Sequence, residues 1–347
     1  MLTGPVKKRM TARLGVFGLS AVLCCLLAFE SGVEAKTSYT ILPANTYAFS
    51  INDNGAVAGG YWGASPAFLR TPDGTITAFD APGDTGGTVA VSINNDDTIA
   101  GYFMDGSNVA HGFVRTSDQT ITTFDAPEAG NSSGQGTFAQ SINALGTVAG
   151  SYIDNAGRVH GFVRSMGGTI TAIDVRRATG AVAVSINDKG AIAGHYADHS
   201  SPDHGFVRSP GGKITTFDVP GNNTFTVVSG IDRKGAITGD YSDENNIGHG
   251  YIRAADGTFT LFDAPGPGTN PSSINAKGGV TGAYLANNVR KTIGFVRKPN
   301  GNLKSFHVTG ANGGTAPFGI NASGVIAGFF VVRSKQSTTR YGFTRTP

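Results

Sequence analysis

The chain has 347 residues, 39% hydrophobic and 15% charged, with a formal net charge of +3. So even a balance excludes the strongly basic face that holds nucleic acid or an anionic membrane. Its only two cysteines, Cys24 and Cys25, exclude a disulfide framework and a Cys-ligated zinc.

Residues 1–35 read as a secretory signal peptide. Lys7, Lys8, Arg9 and Arg13 precede an apolar run from Leu14 to Phe29, and Val33-Glu34-Ala35 offers a small-x-Ala cleavage site. The run is short for a membrane span. Its removal leaves 23 basic and 22 acidic residues and no cysteine. The remainder, 36–347, is expected to be a single domain of seven repeats, secreted, periplasmic or at the cell surface, with no membrane span. It is long enough to bury a core without disulfides.

Ser-Ile-Asn or a close variant recurs with its isoleucine at Ile51, Ile93, Ile142, Ile186, Ile231, Ile274 and Ile320. These define units one to seven. Eight residues after each isoleucine stands a glycine, and two further on an aromatic residue. Phe-x-Arg or Tyr-x-Arg follows, beginning at Phe68, Phe113, Phe162, Phe206, Tyr251, Phe295 and Phe343.

Each unit reads as four short strands. The first ends at Ser-Ile-Asn, the second is of the type AVAGGY, the third HGFVR and the fourth TITTFD. Asn-x-x-Gly between the first two suits a type I turn. Glycine interrupts every apolar run after residue 35, so no helix is expected. Asp73-Gly74, Asn300-Gly301 and their equivalents suggest a two-residue type I′ hairpin between strands three and four. That register places Phe68 across from Phe79 and Phe113 across from Phe124. It sets Arg115 opposite Thr122, and Asp125 opposite Gly112, whose missing side chain would make room for the carboxylate.

The last unit lacks a fourth strand, and Thr37 to Asn45 supplies a spare one ahead of unit one. Tyr39 and Ile41 compete for the place that Phe fills in TITTFD. Seven four-stranded units with complementary ends predict an all-β fold, a seven-bladed β-propeller whose N-terminal strand pairs in the last blade. The recurrent H-G-F-V-R, G-x-I-T-x-F-D and S-I-N-x-x-G-x-V-A-G, from about Thr37 to the end, resemble the extracellular HAF-repeat proteins of bacteria. The resemblance implies an exported bacterial protein and brings no catalytic residues with it.

His111, His160, His204 and His249 recur in one place, each six residues after an aspartate, which favours a structural role. Unit four departs from the pattern: Gly194 to Gly205 adds His195 and His199 to Asp198, Asp203 and His204. The spacing matches no established metal motif. No cofactor is therefore expected; His195, His199 and His204 would suit zinc, and the Asp-rich hairpin from Ser242 to Asn246 would hold calcium loosely, without the spacing of an EF-hand loop. Arg176 and Arg177 replace a Pro-Gly pair. His195, Asp198, His199, His204, Arg176 and Arg177 form the candidate ligand-binding set. No serine sits in Gly-x-Ser-x-Gly, no phosphate loop occurs, and no catalytic residue is assigned. The expectation is a monomeric binding module for an extracellular protein or glycan. The alternatives are a polysaccharide or ester lyase or hydrolase at the channel mouth, or a structural surface component.

Overall fold

A computed structural model describes residues 37–61, 66–199, 203–221, 225–286 and 291–347; the leader expected over 1–35 lies outside them. Twenty-eight strands follow one another, with no helix among the described residues. Units one to six each have four antiparallel strands in sequence order, and the three strands of unit seven are joined by Tyr39–Ala44. Unit three has Gly136–Ile142, Val148–Ile153, Val159–Arg164 and Ile170–Ile173. Single parallel pairs, Gly136 with Ala110 and Thr292 with Gly314, join units two to three and six to seven. Among the described residues, no helix is long and apolar enough to cross a membrane.

The recurrent glycine of the second strand answers to a bulge. Each first strand shifts register one residue before its Ser-Ile. This drives a carbonyl onto the facing residue. A Cβ on Gly150 would stand 2.2 Å from the Phe138 carbonyl oxygen and 2.8 Å from the Phe162 ring, so only glycine fits.

The hairpin between strands three and four differs from the expected one. Phe68 pairs with Ala78, and Phe79 pairs with Ala67. The Gly74 N–H donates to the Thr71 carbonyl and the Thr71 N–H to the Thr75 carbonyl. Gly74 has φ +98° while Asp73 keeps a negative φ. This is a type I turn closed by a glycine bulge, one residue longer than a type I′ loop, so the register slips by one. Arg115 accordingly faces Ile121 and Gly112 faces Phe124. Gly112 leaves room for the Phe124 ring, which a Cβ would meet at 2.6 Å, and not for the Asp125 carboxylate.

The aromatic pairs therefore form between units. Phe79 meets Phe113 edge-on at 6.0 Å, Phe124 meets Phe162 at 6.0 Å, and Phe306 meets Phe343 at 6.3 Å. Where the preceding unit supplies a ring, the arginine covers it: Arg115 lies over Phe79 at 4.8 Å and Arg164 over Phe124 at 4.7 Å. Edge-on rings and cation–π contacts each add about 0.5–1 kcal/mol beyond area burial. The third-strand aromatics, Phe68 to Phe343, are all fully buried.

Seven apolar clusters fill the structure, and each straddles a junction between consecutive units. One of them joins Leu42 and Ala327 of the last unit to Val57 and Phe68 of the first. The N-terminal strand Tyr39–Ala44 pairs with Thr338–Arg345, Tyr39 facing Arg345 and Ile41 facing Phe343. By the register of the other units, the place of Phe79 falls to neither Tyr39 nor Ile41. Leu42 takes it, 3% exposed and packed on Gly342.

Asparagines bind the inner turns together. The Asn52 Oδ1 accepts the Ala56 N–H of its own turn, while its Nδ2 donates to the Asn94 carbonyl at 2.9 Å. Asn94 donates to Asn143, Asn143 to Asn187, and Asn187 to Asp232, at 3.1, 3.1 and 2.9 Å. Asn275 donates to Asn321 at 2.8 Å, and Asn321 to Asn52 at 3.0 Å. The serines before Ile act likewise: the hydroxyls of Ser50, Ser92, Ser141 and Ser185 accept the N–H of the next unit's isoleucine.

Candidate functional site

Two kinds of polar cluster lie at the end of the strands away from these asparagines. The first is repeated. His111, His160, His204 and His249 each sit between two carboxylates. His204 holds Asp198 at 3.4 Å and Asp218 at 2.8 Å. His111 holds Asp105 at 3.5 Å and Asp125 at 2.9 Å. The preceding aspartate was legible as a partner; the one fourteen residues later comes from the slipped register. Each ring also stacks on the aromatic of its second strand, as His204 does on Tyr196 at 5.0 Å. Burial opposes protonation of His204 and His249, but the hydrogen bonds and charges of their aspartates outweigh it and hold both above the ordinary range. The His160 hydrogen bond, helped by two backbone N–H groups, brings Asp154 down to about 2. Both ring nitrogens are engaged by carboxylates, so these four sites clamp the second, third and fourth strands of a unit.

The second cluster occurs once. It uses the second-strand position between the recurrent glycine and the aromatic residue. Gly60, Tyr102, Ser151, His195, Asp240, Ala283 and Phe329 fill that place in units one to seven. Its side chain faces the first strand of the next unit: Tyr102 meets Phe138 at 5.2 Å and Phe329 meets Tyr47 at 4.6 Å. At the four–five and five–six junctions the same position is ionisable. His195 donates a hydrogen bond to the Val228 backbone carbonyl and feels the Asp203 charge. Asp203 interacts with both His195 and His204, and its carbonyl accepts the Thr226 N–H of unit five at 2.9 Å. Asp240, 8% exposed, feels Asp203 and accepts the Asn270 Nδ2–H at 3.3 Å.

Burial dominates the electrostatics here. It pushes the His195 imidazole below its ordinary range, against the pull of Asp203. It raises Asp203, which the two histidines oppose. Burial and then the Asp203 charge push Asp240 up to about 7. The His195 Nδ1 is buried with no hydrogen-bond partner. A neutral imidazole with a bare nitrogen and a carboxyl pushed up to about 7 thus stand at successive junctions, each within reach of the Asp203 charge. The arrangement can take up or release a proton, or accept a ligand's hydrogen-bond donors.

The six residues expected to bind ligand separate into four places. Asp198 and His204 pair with each other. His195 faces the opposite way, toward the unit four–five junction. His199 is exposed in the bend that follows. Arg176 and Arg177 are exposed in a turn closed by the Ala178 N–H on the Val175 carbonyl, with Arg177 at φ +69° in the glycine position. Among the described residues, no group of three or more His, Cys, Asp or Glu is arranged to hold a metal. Asp240 and Asn270 were not read from the sequence. The available signal was repeat position, since Asp240 stands where His195 stands one unit earlier.

No protein-family model matches the chain, and no curated protein matches it. Solved structures do. Virginiamycin B lyase from Staphylococcus aureus is 14% identical with a TM-score of 0.56, over 89% of this chain and 99% of that one. YCF48 bound to a D1 peptide is 11% identical with a TM-score of 0.53, over 89% and 96%. The fold is a β-propeller. TolB from Acinetobacter baumannii is also similar, 10% identical with a TM-score of 0.52, over 90% and 97%. At such identities the likeness concerns the propeller scaffold alone, and the propeller's site must be argued from its own residues.

Proposed function

We propose that the protein is an exported propeller of the HAF-repeat kind that binds an extracellular ligand, a protein or glycan. Its seven units close as seven blades, with Tyr39–Ala44 completing the last. The ligand seats where His195, Asp203, Asp240 and Asn270 meet. The observation that carries this reading is the asymmetry of that cluster. Ionisable groups, a half-buried His195 and a buried Asp240, stand at two junctions of a scaffold that fills the equivalent places with glycine, serine, alanine or aromatic rings. Buried ionisable groups cost stability unless paired, and such costs concentrate at functional sites. The YCF48 structure, with its bound peptide, supports a protein ligand by analogy of fold only.

The test is a thermal-unfolding screen of the purified protein against peptides and oligosaccharides. A true ligand at a hundredfold excess over its dissociation constant stabilises by about 2.7 kcal/mol. The shift is expected to vanish in Asp240→Ala and His195→Ala and to persist in His111→Ala. A ligand whose shift survives both substitutions would move the site elsewhere. A second reading, acid–base chemistry in a lyase or hydrolase, is favoured by the bare His195 nitrogen and the near-neutral Asp240 carboxyl, both within reach of the Asp203 charge. Turnover of a bound ligand, lost in Asp240→Asn, would establish it.

A further inference from the structure

The asparagine belt has one break. In unit five the residue after the isoleucine is Asp232. Its Oδ1 keeps the turn, accepting the N–H groups of Lys234 and Ala236 at 2.8 Å each. Asparagines use the Oδ1 in the same way, as Asn187 does for Lys189 and Ala191. The second Asp232 oxygen therefore stands where the other units place an Nδ2–H against the next carbonyl. That carbonyl belongs to Asn275. Two acceptors face each other at this junction, and neither has a proton to offer.

Asp232 is 4% exposed and Asn275 8%. No ion pair reaches Asp232 among the described residues. Its neighbour Arg233 turns instead to Asp188 at 4.0 Å. Asp188 and Asp53 are the other carboxylates on this wall, and Asp53 is occupied by the N–H of Ala322 and the Nδ2 of Asn95. All of these residues line one cavity of about 190 Å³, which the recurrent isoleucine of every unit surrounds. The Asn275 carbonyl accepts the Gly278 N–H of its own turn at 2.8 Å but lacks the cross-unit donor that the other carbonyls of the belt receive. A buried carboxylate beside it in a polar cavity calls for a positive charge.

We propose that this axial cavity binds a hard, hydrated inorganic cation at the Asp232–Asn275 junction. The reading is independent of the ligand site above. The available donors are oxygens only, which suit sodium, potassium, magnesium or calcium and not a soft metal. Asp232 supplies the charge and Asn275 a second oxygen. Water completes the coordination, and at about 30 Å³ each the cavity has room for roughly six molecules. So few protein ligands give a weak site, filled at the salt concentrations outside a cell. The cation replaces the missing N–H donor and ties unit five to unit six.

The experiment is thermal unfolding of the full chain in choline chloride, then in sodium, potassium, magnesium or calcium chloride at matched ionic strength. The wild type is expected to melt about 2–4 °C higher when one of these cations stands tenfold above its dissociation constant. Asp232→Asn restores the amide donor. It is expected to melt as high in choline as the wild type does with the cation, and to gain nothing from the cation. His195→Ala is expected to keep the full response. If the wild type melts alike in every salt, or if Asp232→Asn responds as the wild type does, the proposal fails.

Discussion

Asp240 shows how a single buried group sets a pH dependence. Its carboxyl sits near 7 in the folded chain, against an ordinary value of 3.8. The native state thus holds a proton that the unfolded chain releases, and stability falls as pH rises from about 4 to about 7. His204 and His249 act in the same direction. Held above the ordinary value of 6.5, they stabilise the fold at lower pH, and their contribution is lost as pH rises through the folded value. Asp105, Asp154 and Asp243 act the other way, since their lowered values help until pH falls through them. We predict that Asp240→Asn stabilises the protein by about 1–3 kcal/mol at pH 8 and by much less at pH 4. Urea unfolding at the two pH values checks this; equal gains at both would mean that burial of the charge is not what Asp240 costs. None of this was legible from the motif alone. His195 was visible because it stands near other histidines in the chain, whereas Asp240 lies forty-five residues away and meets Asp203 only across a junction.

At the scale of the strand, four-stranded units were legible because period-two patterning, Asn-x-x-Gly turns and glycine punctuation agree with one another. The register of the outer hairpin was not. Asp-Gly satisfies a type I′ loop and also a type I turn with a glycine bulge, and the two differ by one residue. Gln119 carries the distinguishing sign: it alone is at positive φ in its turn (φ +73°), with Asp118 before it negative, as only the bulged form requires. The slip has a large effect, because it moves the fourth-strand Phe from its own hairpin to the next unit's core. We predict that a double-mutant cycle on Phe124 and Arg164 gives a coupling of about 0.5–1 kcal/mol, while Phe124 and Arg115, in one hairpin, give none. The reverse result would restore the unslipped register.

For the whole molecule, the repeat made the fold class readable and the chain ends hinted at how it completes itself. The residue that completes it, Leu42, was misjudged, because a bulge between Ile41 and Ala44 breaks the alternation on which a sequence reading relies. Leu42 packs in the cluster that joins the last unit to the first. Leu42→Ala is predicted to cost about 2–4 kcal/mol and to lower the single unfolding transition as a whole, followed by circular dichroism in urea. Loss confined to the terminal strand, with the rest of the transition unmoved, would show that the first and last units do not depend on each other.

The donors of the asparagine belt all point the same way, each unit reaching for the one that follows. A row of one-way latches opens at the latch that is missing, and here that lies between units five and six, far from the chain termini. The propeller therefore carries two seams. One is between the termini and is sewn by a strand and an apolar cluster. The other is at Asp232 and is held without its amide. Native-state hydrogen exchange is expected to find the inner strands Thr226–Ile231 and Asn270–Ile274 exchanging before Gly136–Ile142 and Gly180–Ile186. Breathing at the second seam would give ions and water a side entrance to the axis while both ends of the chain stay locked.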